Sequence, residues 1–136
     1  CSFNPPTLAG IEVTRMQEGL LKLSQQAGEI QDKINYYDYH LLEDPNTAAC
    51  ARLGRDIGNK PVLIMRNHGL LSAANNIPEA LYNLYVLENA CKIQVDVLRT
   101  GAELSVPPKS EWDKLAKINV SPTDDIAEHV NLVWTA

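Results

Sequence analysis

No long hydrophobic run occurs in this sequence. Nothing approaches the roughly 20 apolar residues that a bilayer-spanning helix needs, and no basic segment precedes an apolar one as in a secretory leader. Membrane insertion is therefore not expected. Basic clusters are also missing. Lys and Arg number 12 against 17 Asp and Glu, for a net charge of -5, and they are scattered. Phosphate backbones are held by clustered cations, so nucleic acid is excluded as the main partner. Cysteine is scarce: Cys1, Cys50 and Cys91 are an odd number at wide spacing, which supports neither a disulfide framework nor a CxxC metal site. Cys50 and Cys91 fall in predicted helices, where a buried reduced thiol is the default, and a cytoplasmic location is expected. No glycine-rich phosphate loop is present, since "GRDIGNK" at 54–60 has the wrong spacing and follows no strand. "SQQ" at 24–26 and Ser72 have no His and Asp partners at an interpretable spacing, so a serine nucleophile has no support. Internal repeats and low-complexity segments are absent.

What remains is an ordinary globular composition. The 136 residues, 45% hydrophobic and 21% charged, suffice for a single domain spanning 1–136. The first residue is Cys1 rather than Met, so the chain is expected to be processed, trimmed or excerpted. Thr7 is placed to cap a helix running to about Gln17, with Ala9, Val13 and Met16 on one face and Gly19 as its stop. "LLKL" at 20–23 reads as a short strand, and "INYYDY" at 34–39, after a polar "QDK" turn, as another. Asp44-Pro45 opens a helix through Ile57 that Gly58 ends. Pro61 introduces "VLIMR", apolar without alternation, as a strand covered on both faces is. "LLSAA" at 70–74 is its expected hairpin partner.

Asn76 and Pro78 start the longest element, a helix stopped by Gly101. Leu84, Leu87, Cys91, Val95 and Leu98 form one apolar stripe, and Val86, Ala90, Ile93 and Val97 a second. So wide an arc implies cover on more than one side, by a sheet and by another helix or subunit. "ELSVPPKS" at 103–110 reads as a loop before two short helices. The second begins at Ser121-Pro122 with Asp124 and Asp125 in its first turn. Helices and strands alternate, so the fold class is α/β.

The stretch "VLIMRNHGLL" at 62–71 carries the chemistry that needs explaining. Its apolar run breaks into Arg-Asn-His-Gly, as either a tight turn or a metal site would. His40 and His129 have no companion at ligand spacing. "YYDYH" at 36–40 has the aromatics of a ligand box, yet a half-buried strand uses Tyr for the same packing reasons.

Taken with the helix "PEALYNLYVLENACKIQV" behind it, "VLIMRNHGLL" resembles the class II aldolase/adducin family. "EGLLKLSQQA" at 18–27, "YYDYH" at 36–40 and "IGNKPVLIMRNHG" at 57–69 match as well. The resemblance extends over roughly residues 1 to 101, in order and with family-like spacing. It implies a three-layer αβα domain around a mostly antiparallel sheet, of which this chain would hold the later part. It further implies a homo-oligomer, usually a tetramer, and zinc held by three histidines. His68 matches the third of these metal ligands.

The other two belong to a Cys-x-x-His-x-His-Thr-x-Ala-Gly pattern, and this chain has "CSFNPPTLAG" there. Asn4 and Pro6 stand in the histidine positions, while Cys1, Thr7, Ala9 and Gly10 keep theirs. An Asn amide oxygen is a weak zinc donor, a Pro side chain has none, and one imidazole does not hold zinc tightly. The family's catalytic acidic residue is expected upstream of Cys1. Leu41 and Ala74 replace family glycines, and Asn75 and Asn76 are the neighbours expected to take left-handed geometry at the second of these turns.

The expectation is thus a non-catalytic domain with a zinc-site remnant at His68, no catalytic residue and no cofactor, acting in assembly or binding as adducin does in the cytoskeleton. The runner-up is a zinc-dependent aldehyde-lyase or epimerase acting on a small sugar phosphate or hydroxy acid, its ligands completed from elsewhere. A third reading keeps the pocket for a small carbonyl or hydroxy-acid ligand without metal.

Overall fold

A computed structural model describes residues 2–3, 7–38 and 47–118 of the chain. The strands are β1 (Ser2–Phe3), β2 (Ile34–Asp38), β3 (Val62–Arg66) and β4 (Gly69–Ala73). The helices are α1 (Leu8–Thr14), α2 (Gln25–Ile30), α3 (Thr47–Ile57), α4 (Ile77–Arg99) and α5 (Lys109–Ile118), with a 3-10 turn at Gln31–Lys33.

The strands form one sheet in the order β1-β4-β3-β2. β1–β4 and β3–β4 are antiparallel, whereas β2 and β3 run parallel and are joined through α3. The central strand β3 explains its own sequence. Val62 and Ile64 enter a large core on one side of the sheet, and Leu63 and Met65 enter a smaller one on the other. All four are at most 3% exposed, so a run without polar alternation is what this position requires.

The large core is roofed by α1, α2 and α4, through Ala9, Val13, Ala27, Ile30, Leu84 and Leu87 among others. The small core takes Leu53 and Ile57 of α3 against Tyr37, Leu63 and Met65. Helices therefore cover both faces, giving the three-layer αβα arrangement around a mostly antiparallel sheet. Helix α5 packs on α2, with Trp112 and Leu115 lying over Gly28.

Helix α4 lies between α1 and α2 with the sheet beneath it. The first stripe is buried against these neighbours as far as Val95 and the second as far as Ala90, while Ile93 and Val97 are half-buried and Leu98 is 40% exposed. The chain itself supplies the second cover, so the wide apolar arc requires no subunit. Asn76 caps α4 by accepting the Glu79 N–H at 2.8 Å, and Gly101 follows it with a φ of 64°.

Several expectations need correction. Residues 20–23 form no strand, because their backbone bonds to side chains rather than to a ladder: Leu20 N–H donates to the Tyr36 hydroxyl and Leu21 N–H to Gln94. Residues 25–30, not foreseen as helical, form α2, with Ser24 accepting from Ala27 N–H as its cap. Helix α1 ends at Thr14, not Gln17. Its exit tightens into three-residue bonds from Arg15 to Glu12 and from Met16 to Val13. Thr7 precedes α1, but its hydroxyl donates to Glu88 of α4 instead of capping its own helix. Asn75 and Asn76 are not left-handed; among the described residues the only non-glycine with a positive φ is Asn67. The starting residues assigned to α3, Asp44 and Pro45, and the helix from Ser121 with Asp124 and Asp125, lie outside the described residues.

Gly19 illustrates how closely the loop after α1 is fitted. Its φ is 70°, and an added Cβ would fall 2.5 Å from the Tyr36 hydroxyl oxygen. A Gly19→Ala variant is expected to lose about 2–3 kcal/mol, combining left-handed strain with overpacking. Urea denaturation should show the midpoint falling with an unchanged slope.

Candidate functional site

The turn joining β3 to β4 presents the expected histidine. Register pairs Met65 with Gly69, and His68 N–H donates to Met65 C=O at 3.0 Å, closing a tight turn. Asn67 has a φ of 60°, a conformation that Asn reaches more readily than most side chains. The Asn-His pair at this point is thus a turn first. Both residues are exposed.

Around the turn lie groups that the sequence did not single out. Asn67 N–H donates to Thr14 C=O at 3.2 Å, tying the turn to the end of α1. Arg66, the residue before it, sends Nη1 to the carbonyls of Met16 and Gln17, each at 3.2 Å. Its guanidinium carbon lies 4.9 Å from the centroid of the Tyr36 ring, and its Nε is 3.5 Å from Asp38 Oδ1.

The loop between α1 and α2 is held from below by Gln94 of α4, which is 1% exposed. Its amide oxygen accepts from Leu21 N–H at 2.7 Å, and its nitrogen donates to Gly19 C=O at 2.9 Å and to Met16 Sδ at 3.0 Å. A glutamine between Ile93 and Val95 in an apolar arc was the available signal for this role. For Arg66 the sequence held none, because a strand-end arginine is usually solvated.

A divalent zinc needs about three protein donors of imidazole, thiolate or carboxylate type. Among the described residues no group of three or more His, Cys, Asp or Glu side chains is spaced to hold a metal ion. Asp38, the carboxylate on the neighbouring strand end, is engaged by Arg66. His68 is the single donor that the turn offers, and the described side chains do not fit a zinc ion. Cys1, Asn4, Pro6, His40, Leu41 and His129 lie outside the described residues.

Elsewhere, ionisable groups are perturbed by packing. Burial, with Glu88 adding to it, pushes the Cys91 thiol up from 9.0 to about 12. Burial and then the hydrogen bond to Glu29 raise the Tyr82 hydroxyl from 10.0 to about 12. The folded chain holds the Cys91 proton more tightly than the unfolded chain does. Its contribution to stability is therefore whole below pH 9 and is lost as the pH rises toward about 12. Urea titrations across that range should show a steeper alkaline loss for the parent than for Cys91→Ala. With a thiol reagent at neutral pH, exposed Cys50 should react rapidly and buried Cys91 only on unfolding.

Comparison with known proteins gives this geometry a context. Residues 5–95 match the model of the Class II Aldolase and Adducin N-terminal domain. A Pseudomonas aeruginosa protein whose name places it among class 2 aldolases is 36% identical over 104 residues, covering 76% of this chain and 40% of that protein. Alpha-adducin of Mus musculus is 39% identical over 103 residues, covering 74% of this chain and 14% of the adducin. The chain thus spans less than half the length of these curated relatives. Among solved structures, an aldolase II superfamily protein from Pseudomonas syringae superposes with a TM-score of 0.87 at 30% identity, over 98% of this chain and 54% of that one. An L-fuculose 1-phosphate aldolase from Glaciozyma antarctica shares the fold with a TM-score of 0.63 at 16% identity, over 82% of this chain and 41% of its own. With residues 5–95 matching the family model and these curated relatives 36–39% identical over about three quarters of the chain, the chain belongs to the class II aldolase and adducin family.

Proposed function

We propose that this domain has a degenerate zinc site and acts in assembly or binding rather than catalysis. The observation that carries this reading is the pairing of Asn4 and Pro6 with a retained His68. Two of three donor positions hold side chains that zinc does not use, whereas the turn bearing the third is kept. A further feature supports it: one of the similar proteins is an adducin. No cofactor belongs to this reading, and no residue is assigned a catalytic role. Cytoplasmic residence and homo-oligomerisation belong to the same proposal. The first rests on the odd number and wide spacing of the cysteines, of which Cys50, expected to be buried, is exposed; the second rests on the resemblance alone, now that α1 and α2 account for the cover of α4.

Metal analysis of the purified chain, combined with a retro-aldol assay on sugar phosphates including L-fuculose 1-phosphate, tests the reading. The expected result is neither bound metal nor turnover. Stoichiometric zinc or manganese with turnover would sink it. Light scattering coupled to size exclusion checks the assembly, and a monomer at all concentrations would remove homo-oligomerisation from the proposal.

A second reading, a zinc-dependent aldehyde-lyase or epimerase on a small sugar phosphate or hydroxy acid, is favoured by the aldolases among the similar structures. It needs ligands from outside the described residues. In that case His68→Ala should abolish both metal and activity; unchanged activity would exclude it.

A further inference from the structure

We infer that Arg66 is the positioning residue of the His68 turn, fastening it to the exit of α1 and to β2; this rests on the reading of His68 as a retained ligand position. The side chain joins three segments. From the end of β3 it reaches the carbonyls of Met16 and Gln17 just beyond α1, and on the parallel strand β2 it meets the ring of Tyr36 and the carboxylate of Asp38. The next backbone amide, Asn67 N–H, donates to Thr14 C=O, so the turn is fastened to the same α1 exit.

The loop that supplies these carbonyls is itself anchored. Gln94 holds Gly19 C=O, Leu21 N–H and Met16 Sδ, and the Tyr36 hydroxyl accepts from Leu20 N–H at 3.1 Å. A continuous set of hydrogen bonds therefore runs from the middle of α4, through the loop after α1, to the residue preceding the turn.

An ordinary surface ion pair does not account for this. The Asp38 side chain is 85% exposed and 3.5 Å away, a pair of little worth by itself. What fixes the guanidinium is its fork on two carbonyls and its stacking on a ring, and an ammonium cannot reproduce both at once.

The experiment is amide hydrogen exchange by NMR on the full chain carrying Arg66→Gln, Arg66→Lys or Asp38→Asn. Exchange at Asn67 should quicken on the order of 10- to 100-fold in both Arg66 variants, the factor expected from losing charge-assisted hydrogen bonds. Amides of the Val62–Ile64 stretch should keep their parental rates, and Asp38→Asn should leave Asn67 within about threefold of the parent. An unchanged Asn67 rate in the Arg66 variants would overturn the assignment. So would acceleration in step with Val62–Ile64, which would mean general loosening. As a second readout, adding Arg66→Gln to an Asn4→His, Pro6→His chain should weaken its zinc binding by about 10-fold. If that doubly substituted chain takes up no zinc at all, the ligand-remnant reading fails, while the exchange result judges Arg66 separately.

Discussion

The Asn4→His, Pro6→His double variant is expected to bind zinc on the order of 1000-fold or more tightly than the parent chain, because each added imidazole multiplies affinity only when its partners are already placed. The family resemblance supplies the placement, since it sets positions 4, 6 and 68 as the three ligand positions; residues 4 and 6 lie outside the described residues. Competition with a chromophoric chelator measures the affinity. Adding His68→Ala should remove most of the gain; a gain that survives it would show that zinc has gone elsewhere. Failure of the double variant to bind zinc, with its circular dichroism unchanged, would mean that the reading of His68 as a ligand remnant fails.

Gln94→Leu is expected to cost about 3–5 kcal/mol. The substitution keeps roughly the same volume but removes both ends of the amide. Leu21 N–H and Gly19 C=O then lose their partners beside a side chain that is 1% exposed. An unpaired buried polar group costs about 1–3 kcal/mol; here the buried Gly19 carbonyl and the half-buried Leu21 amide both lose their partner, along with the Met16 contact. The urea midpoint should fall with little change in slope. A loss below about 1 kcal/mol would show that water replaces the amide and that the loop does not depend on it. Because Met16 and Gln17 are the residues Arg66 grips, the variant should also quicken exchange at Asn67. That links α4 to the turn through two independent measurements.

Much of the fold was legible from local signals. β3 was readable from an unbroken apolar run, the hairpin from Asn-His-Gly, and α4 from Asn76, Pro78 and Gly101. In each case the side chain that carries the signal acts on its own or an adjacent segment. Residues 20–30 misled for the opposite reason. "LLKL" has a strand's composition, yet its amides are taken by Tyr36 and Gln94, which are distant in sequence. The six-residue helix α2 is too short to show a period of its own, and Ser24 was its one local mark. Thr7 carried a cap's identity, but its hydroxyl donates to Glu88 on α4 and accepts no amide of its own helix.

The candidate site divides in the same way. His68, and the side chains that fail to replace its partners, were readable because ligand chemistry depends on residue type: an imidazole binds zinc, and an amide oxygen or a proline ring scarcely does. The sequence alone therefore determined the family resemblance, the hairpin, and the Asn4 and Pro6 identities on which the proposed loss of the donor pair rests. Tertiary structure alone decided how the turn is held. Arg66 and Gln94 are ordinary residues in their own segments, and their roles come from backbone groups brought to them from 49 or more positions away. Such contacts leave no period or spacing in the chain, because the donor's identity says nothing about which carbonyl the fold will place within its reach.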